Sequence, residues 1–97
     1  MTINGIKEIT RQELRKQSLI FEEKESLSTN SVYYTVYLTH SQMVFRISDH
    51  LTSKDMSTFR YSKKTTSQQI CRYLNNRIKD AKARELSIAL EIMDHRN

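Results

Sequence analysis

The chain has 97 residues, 37% hydrophobic and 28% charged, with a formal net charge of +5, one cysteine, one glycine and no proline. That length supports a single domain over residues 1–97 with one modest core, and it is too short to wall a deep catalytic cleft, so a binding protein is expected rather than an enzyme. A lone Cys71 excludes an internal disulfide, and no run approaches the roughly 20 apolar residues that cross a bilayer; the chain is expected to be cytoplasmic, with no membrane partner.

Thr10-Arg11-Gln12-Glu13 has the form of a capping box, and Ile9 and Leu14 flank it as a hydrophobic staple, so a short helix is predicted over about residues 11–17. Residues 19–22 (LIFE) read as a first strand. After the turn-forming SLSTN of residues 26–30 comes SVYYTVYLT, rich in β-branched and aromatic residues. Its period of two assigns Val32, Tyr34, Val36 and Leu38 to the core and Tyr33, Thr35 and Tyr37 to the outer face. A turn at residues 40–42 leads into a third strand over residues 43–48, completing a hairpin. Residues 51–56 repeat the cap-and-staple pattern and predict one helical turn, and residues 58–62 predict a short fourth strand with Phe59 and Tyr61 opposite Arg60. With one glycine and no proline, the turns must rely on Asn, Asp and Ser.

Thr66-Ser67-Gln68-Gln69 supplies a further capping box, and nothing interrupts the chain from there to His95, so a helix of about 28 residues, roughly 42 Å long, is predicted. At 100° per residue, Ile70, Leu74, Ile78, Ala81, Ile88 and Ile92 form the stripe that covers the sheet. The opposite side begins with Arg72 and Lys79 and ends with Ala83, Leu86, Leu90 and Met93. Either the N-terminal helix folds over that second apolar stripe through Ile6, Ile9 and Leu14, which is the preferred expectation, or a second copy packs there. The protein is accordingly a monomer or a homodimer. The fold class is α+β: a short N-terminal helix, a small antiparallel sheet of three or four strands, and a long C-terminal helix across one face.

Residues 1–50 hold six basic and six acidic side chains, whereas residues 51–97 hold ten and five. Between Arg60 and Arg84 stand Arg60, Lys63, Lys64, Arg72, Arg77, Lys79, Lys82 and Arg84 against Asp80 alone, a field suited to an anionic partner. Tyr61 and Tyr73 lie among these cations, and Tyr33 and Tyr37 would extend a stacking platform for unpaired bases. The same rings are equally at home as ordinary strand and core residues.

Ser48-Asp49-His50, at the end of the third strand, invites comparison with a catalytic triad. Three successive residues of an extended chain point to alternating sides, whereas a nucleophile, base and orienting acid must converge, so these residues are expected to close a turn. His40, His50, His95 and Cys71 lack metal-ligand spacing; Asp49, His50 and Asp55 are the one conceivable metal cluster, and the expectation is no metal and no cofactor. Gly5 precedes no strand-to-helix phosphate loop. Glu22, Glu23 and Glu25 read as a solvated strand edge that discourages aggregation.

YYTVYL followed by VFRISDH resembles small proteins carried by bacteriophages and other mobile elements of Gram-positive bacteria, in which a hairpin ends in R-I-S-D-H and a helix closes the domain. The resemblance covers residues 31–92. Small single-domain proteins of this origin include anti-CRISPR proteins, to which this chain is similar in size and in lacking enzymatic motifs, and which act by occupying a nuclease surface or channel. Many of those are acidic and imitate DNA, whereas this chain is basic. The resemblance therefore implies docking on an acidic protein patch or on exposed guide-RNA phosphates of a bacterial nucleoprotein such as a type II CRISPR effector nuclease. It transfers no functional residues.

The expected function is thus non-enzymatic binding and inhibition of a host nucleoprotein in the bacterial cell. Arg60, Lys63, Lys64, Arg72, Lys79 and Lys82 would supply electrostatic recognition, and Leu86, Leu90 and Met93 an apolar contact. The alternative is a nucleic-acid-binding accessory or regulatory protein that sets the same cations directly on phosphates.

Overall fold

The computed structural model describes residues 1–26, 30–51 and 57–95. The elements run α1 (Ile3–Lys16), β1 (Ile20–Ser26), β2 (Ser31–Tyr37), β3 (Gln42–Ser48), β4 (Thr58–Arg60) and α2 (Ser67–Asp94). The strands form one sheet in the order β1-β2-β3-β4, with both helices on the same face. This is the expected α+β architecture. The helical turn predicted over residues 51–56 lies outside the described residues except for Leu51, which is exposed. Among the described residues, no helix is long and apolar enough to cross a membrane.

The alternating hydrophobicity of the central hairpin determines the sheet. β2 and β3 pair antiparallel along their whole length, with Tyr34 opposite Phe45 and Val36 opposite Met43. Val32, Tyr34, Val36, Met43, Phe45 and Ile47 therefore share one face, and all are buried beneath the helices. The Tyr34 and Phe45 rings stack at 5.1 Å, and Tyr73 of α2 meets Phe45 edge-on at 6.1 Å. β1 is longer than residues 19–22 because it pairs with all seven residues of β2, Ile20 opposite Tyr37 through Ser26 opposite Ser31.

The fourth strand departs from expectation in two ways. It spans Thr58–Arg60, shorter than residues 58–62, and it runs parallel to β3, with Arg46 opposite Thr58 and Ser48 opposite Arg60. Residues 49–57 thus return the chain to the level at which β3 is halfway through. That connection is shorter than the dozen or so residues of a regular parallel crossover, which accounts for so brief a pairing. Because β4 begins only at the level of Arg46, residues 42–45 of the outer edge of β3 have no strand partner among the described residues, and Arg77 of α2 reaches that edge: its Nη2 donates to the Val44 carbonyl at 3.2 Å.

Helix α1 begins eight residues before the predicted start. Thr2 is the N-cap, its hydroxyl accepting from the Gly5 amide at 3.2 Å. Thr10, expected to be the cap, is fully buried inside the helix and its hydroxyl donates to the Ile6 carbonyl at 2.8 Å. Ile6, Thr10 and Leu14 recur every fourth residue, so the buried stripe extends back through the segment that the capping-box reading left out. The helix exits through Ser18, whose positive φ of 56° accompanies bonds from Ser18 N to Arg15 O and from Leu19 N to Leu14 O. That pairing is a Schellman motif, built on serine in a chain nearly devoid of glycine.

Helix α2 is unbroken over its 28 residues and starts with the predicted capping box: the Thr66 hydroxyl accepts from the Gln69 amide, and the Gln69 side chain from the Thr66 amide. Ile70, Leu74, Ile78 and Ala81 are buried, Ile88 is half-buried and Ile92 exposed, so the core-facing stripe fades along the helix. The last anchor is Glu85, which accepts from the His40 amide and from the Ser41 hydroxyl in the β2–β3 turn. Beyond it the helix overhangs the sheet, in a molecule measuring 53 × 28 × 18 Å.

The two helices run side by side in the same direction. The Met1 amino group bonds the carbonyls of Ser62 and Lys63, Glu13 meets Cys71, and Gln17 accepts from Lys82 Nζ at 3.0 Å. Helix α1 therefore ends level with Lys82 and does not reach the second apolar stripe. Leu86, Leu90 and Met93 are 61%, 52% and 62% exposed, while Ile6 and Leu14 are spent in the main core. The preferred expectation for that stripe is overturned by the length of α1: a helix with the origin and direction of this one runs out before the stripe begins.

Candidate recognition surface

The two helices treat their cations differently. On α1, Lys7 and Arg11 are ion-paired with Glu25 and Glu23 of β1, and only Arg15 and Lys16 of the last turn are exposed without an ion pair among the described residues. Arg11 Nε donates to Glu23 Oε1 at 2.8 Å and its Nη2 to Oε2, while the Tyr34 hydroxyl donates to Oε1 at 2.6 Å. Glu23 and Glu25 are accordingly not a solvated edge; they fasten α1 to the sheet. Burial pushes the Glu23 carboxyl up, but hydrogen bonds from Arg11 and Tyr34 and the Arg11 charge outweigh it and hold the group below its ordinary value. Tyr34 is pushed above the usual tyrosine range by burial and by Glu23.

This network has a consequence for acid stability. A carboxylate whose folded pKa lies below its unfolded value, about 4.3 for glutamate, stabilises the fold above that value and loses its contribution as pH falls through the folded pKa. Glu23→Gln is expected to cost about 1 kcal/mol at neutral pH and to flatten the decline in stability between about pH 5 and 3, as measured by urea unfolding at a series of pH values.

On α2 and the turn before it, the cations are uncompensated. Arg60, Lys63, Lys64, Arg72, Lys79, Lys82 and Arg84 are all exposed, and among the described residues none forms an ion pair. Glu85, the nearest acid beyond Arg84, is committed to the β2–β3 turn. Arg72 and Lys79 are two helical turns apart on the side opposite Ile70, Leu74 and Ile78, where the 100° spacing puts them.

The predicted residues are not all on one face. Arg60 belongs to the register row of Ser48, on the side of the sheet away from the helices, and at the edge it borders a shallow depression with Phe59, Lys64 and Gln69. Lys63 and Lys64 occupy the turn between β4 and α2. Lys82 lies on the flank of α2 beside the end of α1, bonded to Gln17. Leu86, Leu90 and Met93 continue the outer face of α2 on the overhang. The cations therefore wrap from the edge of the sheet around the start of α2, and the apolar residues lie at the far end of the same helix. Arg77, counted with the basic group from sequence, is half-buried and turned toward β3.

The interleaved aromatics prove to be packing residues. Tyr73 sits against Phe45 and Phe59 with its hydroxyl 2.6 Å from Ser57 Oγ, and Tyr61 is half-buried against the core. The Tyr73 ring has no free face beside the cations. Tyr33 and Tyr37 do lie on the open face of the sheet, half-buried and exposed respectively. They are on the opposite side of the molecule from Arg72 and Lys79.

The strand-end motif forms a compact polar cluster. Ser48 Oγ lies 3.1 Å and Asp49 Oδ1 2.7 Å from His50 Nδ1, and Ser31 Oγ donates to Ser48 Oγ at 2.8 Å. Asn30 Nδ2 donates to Asp49 Oδ2 at 3.0 Å. The Asp49 carboxyl is held below its usual value by the His50 and Asn30 hydrogen bonds. The three residues converge after all, because strand geometry and its alternation end at Ser48. Both oxygens nevertheless address the same ring nitrogen, whereas a triad uses one nitrogen for the acid and the other for the nucleophile. The arrangement braces the turn that Asp49 was expected to brace.

Arg46 is the residue that sequence reasoning missed. It is 6% exposed, and its guanidinium donates from Nε to Thr58 Oγ1 at 3.2 Å and from Nη2 to the His50 carbonyl at 3.3 Å. It clasps both ends of the β3–β4 connection, the role signalled by a single cation on the non-core side of an apolar strand. Among the described residues, no group of three or more His, Cys, Asp or Glu side chains is placed to hold a metal ion; Asp55 of the conceivable cluster lies outside them. Cys71, half-buried against Glu13, has its thiol pushed up by burial and by that carboxylate. Comparison with protein-family models, curated proteins and solved structures yields no match to this chain.

Proposed function

We propose that the protein is a non-enzymatic binding module that engages a phosphate-bearing bacterial nucleoprotein through the uncompensated cations at the start and along the outer face of α2. The observation that carries this reading is the group Lys63, Lys64, Arg72 and Lys79, exposed with no ion pair among the described residues, whereas on α1 Lys7 and Arg11 are neutralised by β1 and only Arg15 and Lys16 of its last turn stand exposed and unpaired. Unneutralised charge on a rigid helix steers and holds an anionic partner. The exposed Leu86, Leu90 and Met93 on the same helix face add an apolar contact of the kind that protein surfaces provide and naked nucleic acid phosphates do not. The resemblance of YYTVYL and VFRISDH to mobile-element proteins makes an RNA-loaded type II CRISPR effector nuclease in the bacterial cytoplasm the most specific candidate, with inhibition by occupation of its surface as the mode of action.

Direct binding to free nucleic acid is the second reading, favoured by the same cations. It draws no support from Tyr73, whose ring is packed against Phe45 and Phe59, and little from Tyr61, which is half-buried against the core. Immobilised protein challenged in parallel with RNA-loaded nuclease, empty nuclease and free single-stranded RNA separates the two readings. Retention of the loaded nuclease, with little free RNA held at physiological salt, is the expected result. Tight retention of free RNA with a steep salt dependence favours direct binding. Retention of neither the loaded nuclease nor free RNA removes the basis for both readings.

A further inference from the structure

The strand β1 stands at the end of the sheet, and among the described residues no strand pairs with its outer edge. Its side chains divide cleanly. Glu23 and Glu25, on the helix side, are bound to Arg11 and Lys7, while Glu22 and Lys24, on the open side, are exposed and form no ion pair among the described residues. Ile20, at the start of the strand, is 73% exposed. A charged edge ordinarily prevents strands from joining indiscriminately. Opposite charges two residues apart on one face do something more selective, because they complement themselves when the strand meets an inverted copy of itself.

We propose that two copies of this chain associate through β1, antiparallel about a two-fold axis at Glu23, to form one continuous eight-stranded sheet. In this register Ile20 faces Ser26 of the second copy, Glu22 faces Lys24 of the second copy, and Lys24 faces Glu22 of the second copy. All seven residues of β1 are paired. A register that keeps the same faces aligned can shift only in steps of two residues. One step in either direction places Glu22 against Glu22 or Lys24 against Lys24, and shortens the pairing as well. The register with the most backbone hydrogen bonds is therefore the one with matched charges. At the axis, Glu23 meets Glu23 of the second copy, each already held by its own Arg11 fork. The outer face of α2 lies at the other side of each protomer and stays free, so this association is independent of the polyanion surface.

The test is the oligomeric state of the full chain and three variants, by sedimentation velocity over micromolar to submillimolar concentrations. Wild type is expected to dimerise. Glu22→Lys and Lys24→Glu, each of which sets like charges opposite one another, are expected to raise the dissociation constant by about tenfold or more. An equimolar mixture of those two single variants is expected to form a heterodimer, and the double variant E22K/K24E to recover the wild-type dimer, since both restore opposite charges across the edge. The proposal is overturned if wild type remains monomeric throughout the range, or if the single variants associate as tightly as wild type. It is equally overturned if Leu86→Asp combined with Leu90→Asp dissolves the dimer while the charge variants do not, because the second copy would then sit on the α2 overhang.

Discussion

Arg72→Glu combined with Lys79→Glu is expected to weaken binding to an RNA-loaded type II CRISPR nuclease by about a hundredfold, and to reduce the salt dependence by one to two released counterions. Each reversal removes two units of charge, so the formal net charge falls from +5 to +1. Net charge alone does not explain an effect of that size. Lys16→Glu, a reversal on the exposed end of α1, is expected to change affinity by less than about threefold, as suits a distant contribution to the overall field. Both α2 positions are exposed and free of ion pairs among the described residues, so the fold should lose no more than about 0.5 kcal/mol in urea unfolding. Equal losses from Lys16→Glu and Lys79→Glu would show that α2 holds no recognition face.

The largest expected effect on stability is at Phe45. Its ring is fully buried, stacked on Tyr34 and met edge-on by Tyr73, so it joins the hairpin to α2 at the centre of the only hydrophobic core among the described residues. Phe45→Ala is expected to cost about 3–5 kcal/mol, through lost transfer energy and a cavity that flanking rings cannot collapse to fill. A domain of this size has on the order of 5–10 kcal/mol in total, so the variant should lose roughly half of its stability. Val44→Ala, the next residue on the open face of the same strand, should cost about 1 kcal/mol or less. Urea denaturation at 25 °C measures both, and similar costs at the two positions would contradict the assignment of faces.

The parts of this architecture that were legible in the sequence are those governed by a local period. Val32, Tyr34 and Val36 alternate with Tyr33, Thr35 and Tyr37, and that alternation survives intact in the hairpin. Thr66 and Gln69 mark the start of α2 because the capping box is a contact within four residues. Arg72 and Lys79 could be placed opposite the buried stripe by rotation alone. What was not legible depends on distant partners. The side on which Arg60 falls is set by the register of β4 against β3, and residues 49–57 carry no period that reveals a parallel return. The start of α1 was hidden by competition between two threonines, and burial of Thr10 on the core-facing stripe of α1 decided it. The fate of Leu86, Leu90 and Met93 depended on where α1 stops, which the pattern of α2 does not contain.

Parallel alignment of α1 and α2 gives the molecule a polarity along its length. Peptide dipoles in the two helices point the same way, so both positive ends, each equivalent to about half an elementary charge, emerge beside Lys63 and Lys64. At the opposite tip the negative end of α2 coincides with Glu91 and Asp94 and with no basic residue in its last turn. Among the described residues, each tip thus carries side-chain charge of the same sign as its backbone. In the field of a polyanion such a rod experiences a torque as well as an attraction, and it turns its capped end forward before first contact.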